Sequence, residues 1–366
     1  MSHLPWRAAM ERALYGPQGF FVNEETGPAA HFRTSVHASP LFAQAVLRLT
    51  RWVDEALDRP EQLTVCDVGA GRGELLLALG AQARAADPEL ADRLRLVAVE
   101  RAARPQGLPA WITWTDRIEP IPTGLLFANE WLDNIPCEVA EADEDGVPRY
   151  VLVDPATGAE RPGGPLDAAD AAWLRDWFSA GPDGASSGAR TDPTSDTPSV
   201  ERAELGRWRD QAWAEAVGAV GRGLAVAVDY AHTRADRPPF GTLTGYRDGR
   251  QVEPVPDGSC DLTAHVALDA CLDAAARANP RVTHSLWTTQ RAALHALGVN
   301  GARPPLALAS SDPSAYLRAL ASAGEAAELT ATGGLGSFLW GVQTVGIQAA
   351  DMGDGGPAGG WQTLVS

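Results

Sequence analysis

The chain has little cysteine, no long apolar run and no surplus of basic residues. Its four cysteines, Cys66, Cys137, Cys260 and Cys271, are scattered through 366 residues and form no CxxC pair. Neither a disulfide framework nor a cysteine-held zinc site organises such a chain, and reduced, buried thiols are expected. No stretch approaches the roughly 18 apolar residues of a membrane span. The opening MSHLPWRAAMERALYG also lacks the apolar segment of a secretion signal. A cytoplasmic location without a membrane partner is the expectation. The 30 Lys and Arg stand against 47 Asp and Glu, a net charge of −17. That balance disfavours nucleic acid and would attract basic protein segments. What remains, 45% hydrophobic and 21% charged residues, is ordinary for a globular protein and long enough for one elaborated domain or two.

The most telling segment is residues 63–80, LTVCDVGAGRGELLLALG. An apolar run, an acid, glycines at 69, 71 and 73 and a helix-period stretch read as strand, tight turn and helix N-terminus. That arrangement offers backbone N–H groups to a ligand. Gly69-x-Gly71-x-Gly73 brings the third glycine one residue earlier than the dinucleotide fingerprint G-x-G-x-x-G. Asp67, just ahead of the turn, repels phosphate and suits a cationic or hydroxylated ligand, so the pattern favours S-adenosylmethionine over NAD. The run Leu94–Val99 ends in Glu100, whose carboxylate can accept from both hydroxyls of a ribose. Trp111–Trp114 precedes Asp116, a candidate acceptor for an adenine amino group. Asn129, closing the run Gly124–Asn129, is a further candidate cofactor contact. The competing readings are a turn without a ligand, a solvated strand-end charge at Glu100 and an ordinary turn acid at Asp116.

Around this unit, residues 4–15 and 39–58 carry helix-period apolar positions, with Ser39-Pro40 as a helix start. Strands and helices alternate from 63 to about 135, as parallel βαβ units require. Glu138–Asp143 and Arg149–Asp154 read as a hairpin around Glu144-Asp145-Gly146. Helical stretches at 167–178 and 199–219 flank residues 181–199, which are poor in apolar residues and expected to be disordered. Gly223–Tyr230 is the fifth strand.

Residues 127–136, FANEWLDNIP, leave the fourth strand at the carboxyl edge of the sheet, where open α/β sheets bind ligands. Glu130 and Asp133 share a face if the segment enters a helical turn, and two carboxylates can clamp a planar guanidinium. Methyl transfer from a sulfonium is an in-line displacement that gains mostly from positioning. Glu130 and Asp133 are therefore the expected catalytic pair; the competing reading is a helix N-terminus capped by Asn129. At the end of the fifth strand Asp229 and Tyr230 are candidate substrate contacts and His232 a candidate general base. His265 lies in a segment dense in hydroxyl, acid and imidazole groups and is a candidate for the binding rim. No metal site is expected.

Taken together, DVGAGRGELL, ANEWLDNIP, AVDYAH, TLTGYR and CDLTAHV resemble the MidA-like methyltransferases, bacterial relatives of the mitochondrial methyltransferase that assists complex I assembly. The resemblance runs from about Tyr15 to about Gly341. It implies an α/β fold with a Rossmann-like, seven-stranded class I methyltransferase sheet, N-terminal helices and an inserted helical and lid region. It also implies S-adenosylmethionine as cofactor and, from the family's mitochondrial branch, protein arginine methylation as the activity. The chain departs from the family pattern at Ala30-His31-Phe32-Arg33-Thr34 and at Asp229-Tyr230-Ala231, where substrate would enter. The expected layout is an N-terminal helical segment and loop at 1–58, a methyltransferase core at 59–140 and 220–350, and an insertion at 141–219. A small-molecule methyltransferase and a non-catalytic assembly factor are the alternatives, and a homodimer is left open.

Overall fold

A computed structural model describes residues 3–22, 34–178 and 201–347. The segment 181–199 and most of the loop preceding Thr34 lie outside the described residues. The chain forms two compact units, neither of them one stretch of sequence. The first takes Met1–Phe32, Trp131–Glu215 and Asp229–Ala278; the second takes Arg33–Glu130, Ala216–Val228 and Asn279–Ser366. These bounds differ from the expected layout. Residues 131–140 and 229–278 group with the inserted region rather than with the core, as do 1–32, while 33–58 and 216–219 group with the core.

The second unit is built on a seven-stranded sheet. Its strands are β1 (Leu63–Val68), β2 (Leu94–Val99), β3 (Ile112–Thr115), β4 (Ile121–Asn129), β5 (Val220–Asp229), β6 (Val282–Thr289) and β7 (Leu339–Val345). They lie in the order β6-β7-β5-β4-β1-β2-β3. From β5 to β3 each neighbouring pair is parallel, and β6 and β7 are antiparallel. β1 is buried at every position, as a strand covered on both faces must be. The strand order reverses at β1, between β2 and β4, which makes the carboxyl ends of these strands the natural ligand crevice. Asp67, Glu100 and Asn129 all stand at those ends.

The flanking helices follow from local sequence. Ser39 caps the helix Pro40–Ala56, its side-chain oxygen accepting from the Leu41 N–H, and Pro40 takes the first helical position. That helix buries Phe42, Val46, Leu49 and Val53. Phe42, Phe127 and Trp340 pack edge to face with centroids 5.6 to 6.1 Å apart, each contact adding about 1 kcal/mol to simple burial.

The first unit carries the expected hairpin, Glu138–Ala142 against Pro148–Val153, within a five-stranded sheet completed by Leu4–Pro5, Glu160–Pro165 and Arg202–Leu205. The helix Trp6–Tyr15 seals one face. Its Trp6, Met10 and Leu14 pack with Phe20, Cys137, Val139, Val151 and Cys260. Trp173 and Trp177 of the helix Ala168–Phe178 centre a second cluster with Leu205 and Ala270. Thr244–Arg247 pairs with Asp261–Thr263, which joins the TLTGYR and CDLTAHV segments. Ala231–His232 pairs with Val266–Ala267. All four cysteines are buried and free. Among the described residues, no helix is long and apolar enough to cross a membrane, and no group of His, Cys, Asp and Glu could hold a metal ion.

Candidate functional site

In the sheet unit, the turn after β1 is made by glycine. Gly69, Gly71 and Gly73 adopt φ of 73°, 57° and 86°, a region L side chains rarely enter. The Gly69 and Ala70 N–H groups donate to the Val99 carbonyl at 3.0 and 3.2 Å, pinning the turn to the end of β2. A Cβ at Gly73 would stand 3.1 Å from Leu108 Cδ1. Glu100 Oε2 accepts from the Gly71 N–H and Oε1 from the Ala102 N–H, both at 3.1 Å. Asp67 is buried, and burial, then the charges of Glu74 and Glu100, push its carboxyl well above the usual carboxylate range. Asp116 is exposed in the bend after β3.

Further carboxylates complete this edge. Glu74, first residue of the helix Glu74–Ala86, accepts from the Arg72 N–H at 2.9 Å through Oε2 and meets His37 Nε2 at 3.3 Å through Oε1. Glu130 is one of the few non-glycine residues with positive φ, at 53°, and its N–H donates to the Val228 carbonyl at 2.7 Å. Its Oε1 accepts from the Ser35 N–H at 3.3 Å and from Asn129 Nδ2 at 3.0 Å. Asn129 Oδ1 is buried with no hydrogen-bond partner among the described residues, and a buried acceptor in that state calls for a donor. A glycine-rich turn, an orphaned acceptor and four nearby acids fit a cationic nucleoside with ribose hydroxyls. They do not fit a phosphate.

The first unit holds a second acidic cluster. Asp133 is buried; its Oδ2 accepts from Thr263 Oγ1 at 2.8 Å and its Oδ1 from Asn134 Nδ2 at 3.0 Å. Burial raises its pKa, against the lowering effect of the Thr263 hydrogen bond and the Arg209 charge. Asp229 Oδ2 accepts from the Leu132 and Asp133 N–H groups at 2.9 and 3.2 Å. Arg209, 1% exposed, donates to the carbonyls of Asp133, Ile135, Ala264 and His265 at 2.6 to 3.1 Å. Glu204 accepts from the Thr242 and Leu243 N–H groups at 2.7 and 2.9 Å, and the Tyr230 and His265 rings stack with centroids 6.1 Å apart. Thus Asp133, Asp229, Tyr230 and His265 are gathered in one unit, and the expected cofactor residues in the other.

The model of a family described as "Putative S-adenosyl-L-methionine-dependent methyltransferase" matches residues 45–286. The chain belongs to this family. Membership makes it an S-adenosylmethionine-dependent methyltransferase, in line with its MidA-like resemblance. Two solved structures share the fold across almost the whole methyltransferase. A Burkholderia thailandensis protein crystallised with S-adenosyl-homocysteine superimposes with a TM-score of 0.72 at 23% identity, over 96% of this chain and 90% of that one. A native crystal structure of a protein of the same superfamily, also from Burkholderia thailandensis, gives a TM-score of 0.71 at 25% identity over the same shares. No curated protein sequence matches the methyltransferase.

Two expectations for this methyltransferase need correction. Glu130 and Asp133 do not share a helical face: the segment bends without forming a helix, and Glu130 sits in the left-handed region. The Asp229 carboxylate satisfies the N–H groups that would otherwise begin a helix there. His232 is not poised as a base. Its Nδ1 meets Arg237 Nη1 at 2.6 Å, and a guanidinium can only donate, so the imidazole is neutral. Burial, with the Arg237 charge beside it, pushes its pKa down to about 2. Sequence reasoning also missed Arg209, Glu74 and His37. Glu74, directly after the last glycine, was the one carrying a signal, since an acid in a first helical turn is favoured by the backbone dipole.

Proposed function

We propose that this methyltransferase acts on a protein arginine side chain, with Glu130 as the residue that orients the guanidinium. The observation that carries this reading is the strained backbone at Glu130, a cost of order 1 kcal/mol tolerated at the end of the strand beside β1 and next to the unpaired Asn129 Oδ1. Such strain is retained where a side chain must point one way. In this reading Gly69, Gly71 and Gly73 give the cofactor room to approach the backbone, Glu100 accepts from its ribose, Asp67 and Asn129 contact its methionine part and Asp116 its adenine. When bound, S-adenosylmethionine supplies a sulfonium methyl group open to in-line attack. The chain's own contribution is to hold the acceptor nitrogen in line and to neutralise the acceptor's charge through Glu130. The net charge of −17 favours a basic partner segment, and the cytoplasm is the expected compartment.

Radiolabelled S-adenosylmethionine incubated with an arginine-rich protein extract and with a metabolite extract tests the reading. Label in arginine of the protein fraction supports it; label confined to metabolites replaces it with small-molecule methylation. Glu130→Gln should lower transfer by two orders of magnitude while S-adenosylhomocysteine affinity stays within about threefold. An equal loss of both would make Glu130 a structural residue.

A further inference from the structure

The segment just ahead of the helix Pro40–Ala56 carries an imidazole that neither the fold nor the proposed chemistry uses. His37 lies in the short helix Ser35–Ala38, with both ring nitrogens engaged: Nδ1 is 2.7 Å from Thr34 Oγ1 and Nε2 is 3.3 Å from Glu74 Oε1. The other oxygen of Glu74 accepts from the Arg72 N–H inside the glycine turn. Two residues before His37, the Ser35 N–H donates to Glu130. One four-residue helix therefore touches the glycine turn through one carboxylate and Glu130 through its backbone.

We propose that His37 is a positioning residue for the methyl-donor site, its imidazolium tying Glu74, and with it the Gly69–Gly73 turn, to the helix that holds Glu130. As the cation, His37 donates from both nitrogens, to the Thr34 hydroxyl oxygen and to the Glu74 carboxylate. Once neutral it keeps one donor; the Thr34 hydroxyl can turn to donate to Nδ1, and the contact with Glu74 survives without its charge. The acids facing His37 are Glu74 from the helix after the turn and Glu130 from the end of β4. The hydrogen bond to Glu74 raises the imidazole pKa, burial opposes it, and the charges of Glu74 and Glu130 add to the rise. For Glu74 burial acts upward, but the His37 and backbone hydrogen bonds outweigh it and lower its pKa. Folded His37 thus holds its proton above the usual 6.5, and its ordering effect fades as pH rises through that raised value. The inference deepens the proposed site and depends on the cofactor part of it alone.

Its test is S-adenosylhomocysteine affinity by calorimetry between pH 6 and pH 9, for the wild type, His37→Gln and His37→Lys. The pair is partly exposed, so the wild type should lose about threefold in affinity across that range. His37→Gln should stay flat at the weak, high-pH value, and His37→Lys flat at the tight, low-pH value. A His37→Gln profile that follows the wild type would assign the titration to another group and overturn the proposal. So would a wild type that does not weaken, or two variants that bind alike. No acceptor enters the measurement, so an error about arginine leaves it untouched.

Discussion

Arg209 holds Asp133 by its main-chain carbonyl, at 2.6 Å, and not by its carboxylate. The Asp133 side chain is left to Thr263 and Asn134. A buried guanidinium spread over four carbonyls is satisfied by geometry that an ammonium cannot reproduce, because the planar fork carries five donors against an ammonium's three.

Arg209→Lys should therefore destabilise the protein by about 2–3 kcal/mol, since it strands buried carbonyls and a buried charge together. Urea unfolding followed by circular dichroism would measure this. A change under about 0.5 kcal/mol would mean that water replaces the lost donors.

His232→Asn should leave the pH profile of methyl transfer unchanged. The asparagine amide oxygen can accept from Arg237 as Nδ1 does, and a group already neutral down to about pH 2 has no proton step in the working range. Rates compared from pH 6 to pH 9 decide it: a lost ionisation near neutrality would restore His232 as a base.

Asp210 should make the protein less stable as pH rises. Burial pushes its pKa up to about 7, against hydrogen bonds from Trp173 and Cys271 that favour the charged form. A folded pKa above the unfolded one means that stability is fully present below about pH 4 and is lost as pH climbs to 7. The loss should be of order 1–3 kcal/mol, and Asp210→Asn should remove it. Denaturant midpoints at pH 5 and pH 8 for both proteins provide the check; equal slopes would show that Asp210 stays ionised in the fold.

The glycine turn, the strands beside it and the Ser39-Pro40 helix start were legible because each rests on a local requirement: positive φ at glycine, both faces of β1 covered, a hydroxyl cap ahead of proline. The conformation at Glu130 was not. Spacing alone pairs Glu130 with Asp133, but the Glu130 N–H is tied to the carbonyl of Val228, nearly a hundred residues later. Arg209 was invisible for a similar reason, since its four acceptors are carbonyls that no residue type announces. The strands Val282–Thr289 and Leu339–Val345 were also unread. The first alternates half-buried and exposed residues, a weaker signal than the apolar runs of β1 and β2.

The placing of β7 has a consequence for how the protein is made. β7, the last of the described strands, lies between β5 and β6, so β6 emerges some fifty residues ahead of the neighbour to which it bonds among the described residues. Until Leu339–Val345 appears, the nascent sheet ends at β5 with an open edge, and β6 waits as an unpaired strand that a chaperone or another chain can capture. Synthesis halted shortly before Leu339 costs the sheet two strands instead of one.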